Sequence, residues 1–180
     1  GALFRPGLKP EEFDLINDDS RWVRRTLHAT TYSLVYLNPQ VPAFEDDLVR
    51  RALQHGLDRQ RLIDDVLAGQ GLPLDSPIVR DLWAYVGSPD AYAFDPERAA
   101  LLLHAAGWEL GDGGRAKDGA SFQFSLAASD DPVQLAVARE VARQWGELGI
   151  QVTVKDSGAS QFIGEVLLPR QFEAALVSID

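Results

Sequence analysis

Cysteine and methionine are both missing from the 180 residues of this sequence, and long apolar runs are missing as well. Without cysteine, disulfide bonds and thiolate metal ligands are excluded, and no particular redox compartment is indicated. Apolar residues make up 46% of the chain, but none of their runs approaches the roughly 18 residues that a membrane-spanning helix needs. The sequence therefore predicts a soluble protein without disulfides.

Basic residues are scarce relative to acidic ones. Lysine and arginine total 17 against 27 aspartates and glutamates, so the formal net charge is -10. Because a negative surface repels phosphate groups, we expect neither a nucleic acid nor an anionic membrane surface as a partner. The length and the apolar fraction suit a single core, and we expect residues 1–180 to form one lobe.

Neither end of the sequence has the features of a natural terminus. The start lacks a methionine and an apolar targeting segment. The last residues, AALVSID, predict an apolar strand that no turn or cap follows. We expect both ends to be boundaries within a longer polypeptide.

Two aspartates precede segments with helical spacing. After Asp46, apolar residues recur at helical intervals through 48–57, while Arg50 and Arg51 lie on the solvated face, where they can pair with nearby acids. A second helix starts at Asp58 and carries its apolar face over the next nine residues. Both segments therefore predict amphipathic helices.

An aspartate followed by proline at 95–96 predicts the start of a third helix, because aspartate is a favoured N-cap and proline fits the first turn. The tract 111–119, GDGGRAKDG, predicts a loop of turns, because glycine and aspartate favour turns. Alternation of apolar and polar residues in 122–126 then predicts a half-buried strand.

A fourth helix is expected to begin with Ser129 or Asp130 as its cap and to lead into the alternating strand 150–154. Two parallel strands that are joined through a helix lie in one sheet, with a right-handed crossover and the helix on the sheet's face. The strands 122–126 and 150–154 should therefore be parallel neighbours. A further helix near 161–168 and a strand near 172–179 continue the pattern.

Three blocks of the sequence have a distinctive order and spacing. They are YLNPQVPAFEDDLVRRALQHGLDRQRLIDDVLAGQGLP, YAFDPERAALLLHAAGW and the strand-helix-strand unit that ends in LGIQVTV. In this order they resemble family 5 of the bacterial solute-binding proteins, which includes oligopeptide-, dipeptide- and nickel-binding components of ABC importers. The resemblance covers nearly the whole chain.

This resemblance implies an α/β fold with a mixed sheet flanked by helices, as one lobe of a two-lobed periplasmic-binding-protein-like fold of type II. It implies that the first lobe, and a C-terminal segment that returns to it, lie outside residues 1–180. The whole protein would bind a small molecule or a peptide without a cofactor and pass it to an ABC permease. It would act as a monomer in the periplasm or outside the cell, free or anchored as a lipoprotein.

In this family the loop after the strand that matches 122–126 meets the ligand. The resemblance therefore implies ligand contacts for Ser129 and Asp130, through their side chains or through free backbone N–H groups. Helix capping accounts for the same two residues without a ligand. The stretch 128–135 contains no basic residue, which argues against a peptide whose carboxylate is held there.

The proline- and glycine-rich stretch 69–92 predicts a long ordered loop, and its Asp75, Ser76 and Trp83 are candidate ligand contacts. Trp83 is equally suited to pin the loop to the core, and the other two residues to an ordinary surface loop. Asn38 is a further candidate, although an asparagine before proline more often builds a turn.

Two other functions stay open, an acid-base hydrolase and a ligand-sensing domain of a regulator. Only pairs of adjacent acids offer acid-base chemistry, and adjacent helical residues point about 100 degrees apart, so they seldom converge on one substrate bond. The pairs are Asp46-Asp47, Asp64-Asp65 and Asp130-Asp131. The three histidines lack the spacing of metal ligands. We therefore expect no catalytic residue and no metal.

Overall fold

The computed structural model describes residues 31–74, Tyr85 and 92–179. These residues belong to one compact unit, Thr31–Asp180. Most of the loop expected at 69–92 lies outside the described residues, and so do the candidate contacts Asp75, Ser76 and Trp83. Among the described residues, no helix is both long enough and apolar enough to cross a membrane.

The described strands form two sheets. They are β1 (Tyr32–Leu37), β2 (Glu109–Gly111), β3 (Gly114–Lys117), β4 (Ala120–Ser121), β5 (Gln123–Ser129), β6 (Gln151–Ser157) and β7 (Ala174–Ile179). The larger sheet has the order β1-β7-β5-β6. Strand β5 runs parallel to both β6 and β7, whereas β1 runs antiparallel to β7. The prediction of a mixed sheet with parallel neighbours around a crossover helix is confirmed.

Three of the described helices begin directly after the aspartates that the sequence offers as caps. The described helices are α1 (Pro42–Glu45), α2 (Asp47–His55), α3 (Arg59–Val66), α4 (Pro96–Ala105), α5 (Pro132–Glu147), α6 (Ala159–Gln161) and a π-helix (Phe162–Leu167). The carboxylates of Asp46, Asp58 and Asp95 cap α2, α3 and α4, each accepting a backbone N–H bond of 2.8 or 2.9 Å. Such bonds satisfy donors that have no partner within the helix.

The cap of α5 differs from the prediction. Asp131, and neither Ser129 nor Asp130, accepts the backbone N–H bonds of Val133 and Gln134, both at 3.0 Å. The reason is Pro132, which takes the first helical position because it has no N–H to leave unpaired and its fixed φ suits a helix. The residue directly before proline is then the cap.

Arg50 does more than lie on a solvated helix face. Its guanidinium donates to the carbonyls of Phe44 and Glu45 at 2.7 and 2.8 Å, which are at the end of α1 and have no helical partners. It also pairs with Asp47 at 3.1 Å. The predicted pairing with nearby acids is confirmed, and the same side chain fixes the short α1 against α2.

The tract 111–119 was expected to be a loop, but it contains β3, the central strand of a small antiparallel sheet in the order β2-β3-β4. Gly114, at φ 98°, allows the chain to pass close to Gly149, whose carbonyl oxygen would be 2.8 Å from any Cβ at this position. Arg115 is buried and donates to the carbonyls of Leu148 and Trp108 at 2.7 and 2.8 Å. Burial lowers the pKa of the Arg115 guanidinium, and the negative charge of Glu109 acts in the opposite direction.

The main core lies between the larger sheet and the helices on one of its faces. Phe124 and Leu126 of β5 are buried there, whereas Ala127, which points the opposite way, packs with Phe162 of the π-helix. Trp145 of α5 is buried and donates its indole N–H to the carbonyl of Leu53 at 2.9 Å. Further fully buried side chains of the main core are Phe44, Val49, Leu53, Leu103, Phe122 and Val141.

Candidate ligand-binding site

The ends of the strands bring several polar residues to one edge of the larger sheet. Ser129 ends β5 and pairs in register with Ser157, which ends β6. Ser178 lies near the end of β7 and pairs with Ser33, near the start of the antiparallel β1. We call this region, together with Asp130 and the first turn of α5, the carboxyl edge. In α/β sheets, ligands bind outside the carboxyl ends of the strands.

At the carboxyl edge, Ser129 and Asp130 are not used as helix caps. The backbone N–H of Asp130 donates to the carbonyl of Ser157 at 2.9 Å, which fixes the turn out of β5. Its carboxylate is exposed, and neither this carboxylate nor the Ser129 hydroxyl forms a hydrogen bond within the part of the chain that the structure describes. The capping alternative is therefore wrong for these two residues, and their contact with a ligand stays a prediction.

A second polar group at the carboxyl edge was not predicted from the sequence. The side-chain amide of Gln134, in the first turn of α5, donates to the Ser178 hydroxyl at 2.7 Å, and this hydroxyl lies 2.8 Å from that of Ser33. The Oε1 atom of Gln134 is buried and has no hydrogen-bond partner among the described residues. Only the register between β1 and β7 joins residues 145 positions apart, so sequence spacing carries no signal of this group.

Asn38 lies at the other end of the sheet. It follows β1, whose last residue pairs with the first residue of β7. Its amide donates to the carbonyl of Phe172 at 2.8 Å, and its side-chain oxygen accepts the backbone N–H of Gln40 at 3.0 Å. The turn interpretation is confirmed. The structure does not bring Asn38 together with Ser129 and Asp130.

His55 and Arg59 hold residues 92–95, where the chain returns from the long loop. His55 is buried, and its Nδ1 donates to the carbonyl of Ala93 at 2.8 Å, while its own carbonyl accepts the N–H of Asp95 at 2.8 Å. Arg59 donates to the carbonyl of Tyr92 at 3.0 Å, and the rings of His55 and Tyr92 meet edge to face at 5.3 Å. These contacts anchor the return of the chain into α4.

The acid pairs that the sequence offered for catalysis have other partners in the structure, apart from Asp130. Asp46 and Asp131 are helix caps, and Asp47 pairs with Arg50. Asp64 and Asp65 accept side-chain bonds from α3 itself, at 2.9 and 3.3 Å. Within residues 31–74, 85 and 92–179, no three acidic or histidine side chains are grouped as metal ligands would be.

Comparison with known proteins places this geometry in a family. Residues 2–178 match the family described as bacterial extracellular solute-binding proteins, family 5 Middle. Protein XP55 of Streptomyces lividans is 35% identical over an alignment of 183 residues, which covers 99% of this chain and 31% of that protein. The oligopeptide-binding protein AppA of Bacillus subtilis is 32% identical over 129 residues, covering 69% of this chain and 24% of AppA.

Solved structures have the same fold. AppA in complex with a nonapeptide superimposes with a TM-score of 0.77 at 28% identity, over 83% of this chain and 31% of AppA. NikA of Brucella suis, in complex with Fe(III)-EDTA, gives 0.75 at 28% identity, over 83% of this chain and 30% of NikA. The chain thus spans less than a third of the length of these relatives. It belongs to the bacterial extracellular solute-binding proteins, family 5.

Proposed function

We propose that this chain forms one wall of a hinged site that captures a small molecule or a peptide for an ABC importer. The observation that carries the proposal is the carboxyl edge, where the side chains of Ser129 and Asp130 have no hydrogen-bond partner among the described residues and lie at the place where α/β sheets bind ligands. The match to family 5 over residues 2–178 supports the same function. The opposing wall would come from a second lobe, outside residues 1–180.

Binding and closure would be the whole of the activity. A hinged protein closes because its ligand has a higher affinity for the closed state than for the open one, and no bond needs to be made or broken. The acid pairs support this view, because all their members except Asp130 already cap helices or pair with neighbouring side chains. We therefore propose a binding protein without catalytic residues or a cofactor.

A peptide is one solute that the comparisons support, since AppA was solved with a nonapeptide. NikA was solved with a metal chelate, so the fold itself does not select one class. Residues 127–135, which lead from β5 into α5, carry no positive charge. A peptide bound here would therefore need a basic group elsewhere for its carboxylate.

The expected setting follows from the same family. We propose that the protein acts outside the cytoplasmic membrane, as a monomer that is free or anchored as a lipoprotein, and that it delivers its solute to an ABC permease. The family description as extracellular solute-binding proteins supports this location. The net charge of -10 argues against a nucleic acid as an alternative partner.

The experiment is native mass spectrometry of the natural full-length polypeptide, purified without denaturation from its own host. We expect a co-purified small molecule that disappears on unfolding. In parallel, thermal unfolding is measured with three probes: a pool of peptides of about two to nine residues, nickel(II)-histidine, and a pool of disaccharides. Stabilisation by one probe supports capture of a solute. A protein that carries no small molecule and that no probe stabilises would contradict the proposal.

A further inference from the structure

The group of Gln134, Ser178 and Ser33 is a continuous chain of hydrogen-bonding side chains across three elements. It starts in the first turn of α5, passes through β7 and ends on β1, with distances of 2.7 and 2.8 Å. Its inner end, Gln134 Oε1, is buried without a partner among the described residues. Its outer end is exposed, because Ser178 and Ser33 both face solvent at the carboxyl edge.

The hydrogen bonds of this group can run in two directions. When the amide N–H of Gln134 donates to Ser178, the Ser178 hydroxyl donates to Ser33, and the Ser33 hydroxyl is left to donate outward. A half-turn of the amide reverses every bond, so that Ser33 donates inward and offers only an acceptor outward. One amide atom of Gln134 lacks a described partner in either case, so neither direction has the advantage of a fully paired amide.

The group that meets Ser33 from outside would therefore decide the direction. An acceptor on the solute selects the first arrangement and a donor selects the second, and the amide and the hydroxyls turn accordingly. All three side chains are uncharged, and the first turn of α5 is preceded by the acids Asp130 and Asp131. Since none of the three side chains carries a charge that would offset the desolvation of an ionised solute group, they favour an uncharged partner.

We propose that the Gln134–Ser178–Ser33 chain contacts an uncharged polar group of the solute, an amide or a hydroxyl, and adapts its direction to that group. This inference rests on the proposed function, since it names side chains and a chemical group within the same site. It adds a contact that can form with either a hydrogen-bond donor or an acceptor on the solute, beside the predicted contacts of Ser129 and Asp130.

Two substitutions test the contact in the natural full-length polypeptide. Ser33→Ala removes the exposed hydroxyl, and Gln134→Leu removes the inner end while keeping a similar volume. The matched controls are Ser121→Ala, on the small sheet, and Gln151→Leu, at the opposite end of β6, where the side chain is exposed. The probes are the peptide and the disaccharide that give the largest thermal stabilisation in their pools.

For the better of these two probes, we expect Ser33→Ala and Gln134→Leu each to lower the association constant about tenfold, as the loss of one hydrogen bond does. Both controls should change it by less than about twofold. Gln134→Glu adds a readout of direction, because an ionised carboxylate only accepts and leaves Ser33 as an acceptor. We therefore compare the affinities for an amide-bearing peptide and for its matched ester analogue. The ratio of the first to the second should be larger in Gln134→Glu than in the unsubstituted protein.

A spectroscopic arm follows the amide itself. In protein labelled with [¹⁵N]glutamine, the Gln134 side-chain signals, assigned by their loss in Gln134→Leu, should shift when the probe is added, while those of Gln151 stay in place. If neither the peptide nor the disaccharide binds the unsubstituted protein, this inference fails, and the proposed function fails with it only if nickel(II)-histidine does not bind and no small molecule co-purifies. If a probe binds with equal affinity to the unsubstituted protein, Ser33→Ala and Gln134→Leu, the inference alone is overturned, whatever the amide signals do.

Discussion

At the scale of single residues, the adjacent aspartates Asp130 and Asp131 have different structural roles although their side chains are identical. Asp131 is committed to the helix because Pro132 follows it, and Asp130 is left with an exposed carboxylate one position earlier. The difference is decided by the backbone, since only the residue before the first helical position can reach the free N–H groups of the first turn.

Removing the two carboxylates in turn should show this difference. Asp131→Ala should lower the free energy of unfolding by about 1 kcal/mol, the usual contribution of an N-cap. Asp130→Ala serves as the control and should change it by less than about 0.5 kcal/mol, because its side chain is exposed. Urea unfolding at neutral pH measures both values. Equal losses for the two variants would mean that the cap is wrongly assigned.

Glu140 provides a residue-scale dependence on pH. The hydrogen bond from Arg143, together with one from Gln144, lowers the pKa of Glu140 from 4.5 to about 2, against the opposing effect of burial. Because the folded-state pKa lies below the unfolded one, the ionised carboxylate stabilises the fold above pH 4.5, and this contribution is lost as the pH falls towards 2. Replacing the carboxylate should expose this dependence.

We expect Glu140→Gln to be less stable than the unsubstituted protein by about 1 kcal/mol at pH 7. The difference between the two should shrink as the pH falls from 4.5 to 2. Denaturant unfolding across this range measures it, with Glu97→Gln in the first turn of α4 as an acidic control. A difference that stays constant down to pH 2 would contradict the assigned pairing with Arg143.

At the scale of elements, most helices were predicted from the sequence, whereas the short α1 and the small sheet were not. Cap residues and a repeated apolar face predict helices from the sequence, as they do after Asp46 and Asp95. Strands β2, β3 and β4 have only three, four and two residues, too few for an alternating pattern. Arg115 of β3 donates to the carbonyls of Leu148 and Trp108, and no local pattern reveals these bonds.

The small sheet should depend on one glycine and not on its neighbour. At Gly114, φ is 98° and a Cβ would lie 2.8 Å from the Gly149 carbonyl oxygen. Gly114→Ala should therefore lower the free energy of unfolding by about 1 to 3 kcal/mol. Gly113→Ala is the matched control, since nothing lies within 4 Å of its Cβ position. Thermal or urea unfolding compares the two, and a Gly114→Ala protein as stable as its control would refute this account.

At the scale of the whole molecule, the sequence was informative about the sheet and less so about the site. The crossover pattern placed β5 and β6 side by side and their ends at one edge, so Ser129 and Asp130 could be located in advance. Gln134, Ser33 and Ser178 could not, because their contact exists only after β1 has paired with β7. To predict a site that is formed by strand ends, the complete order of the strands in the sheet must be known first.

At the carboxyl edge the described residues Ser33, Asp130 and Ser178 are exposed, and this limits what the chain can bind by itself. A small-molecule site usually buries most of its ligand's surface, and an open wall covers only part of it while the loss of the ligand's motional freedom stays the same. We therefore expect residues 1–180 alone to bind the best probe at least about 100-fold more weakly than the full-length polypeptide does, a difference of about 2.7 kcal/mol. Calorimetric titration of both proteins with the same probe measures this ratio, and circular dichroism establishes that the shorter chain is folded. Equal affinity of the two proteins for the probe would show that one wall suffices, and the hinged-site proposal would then lose its physical basis.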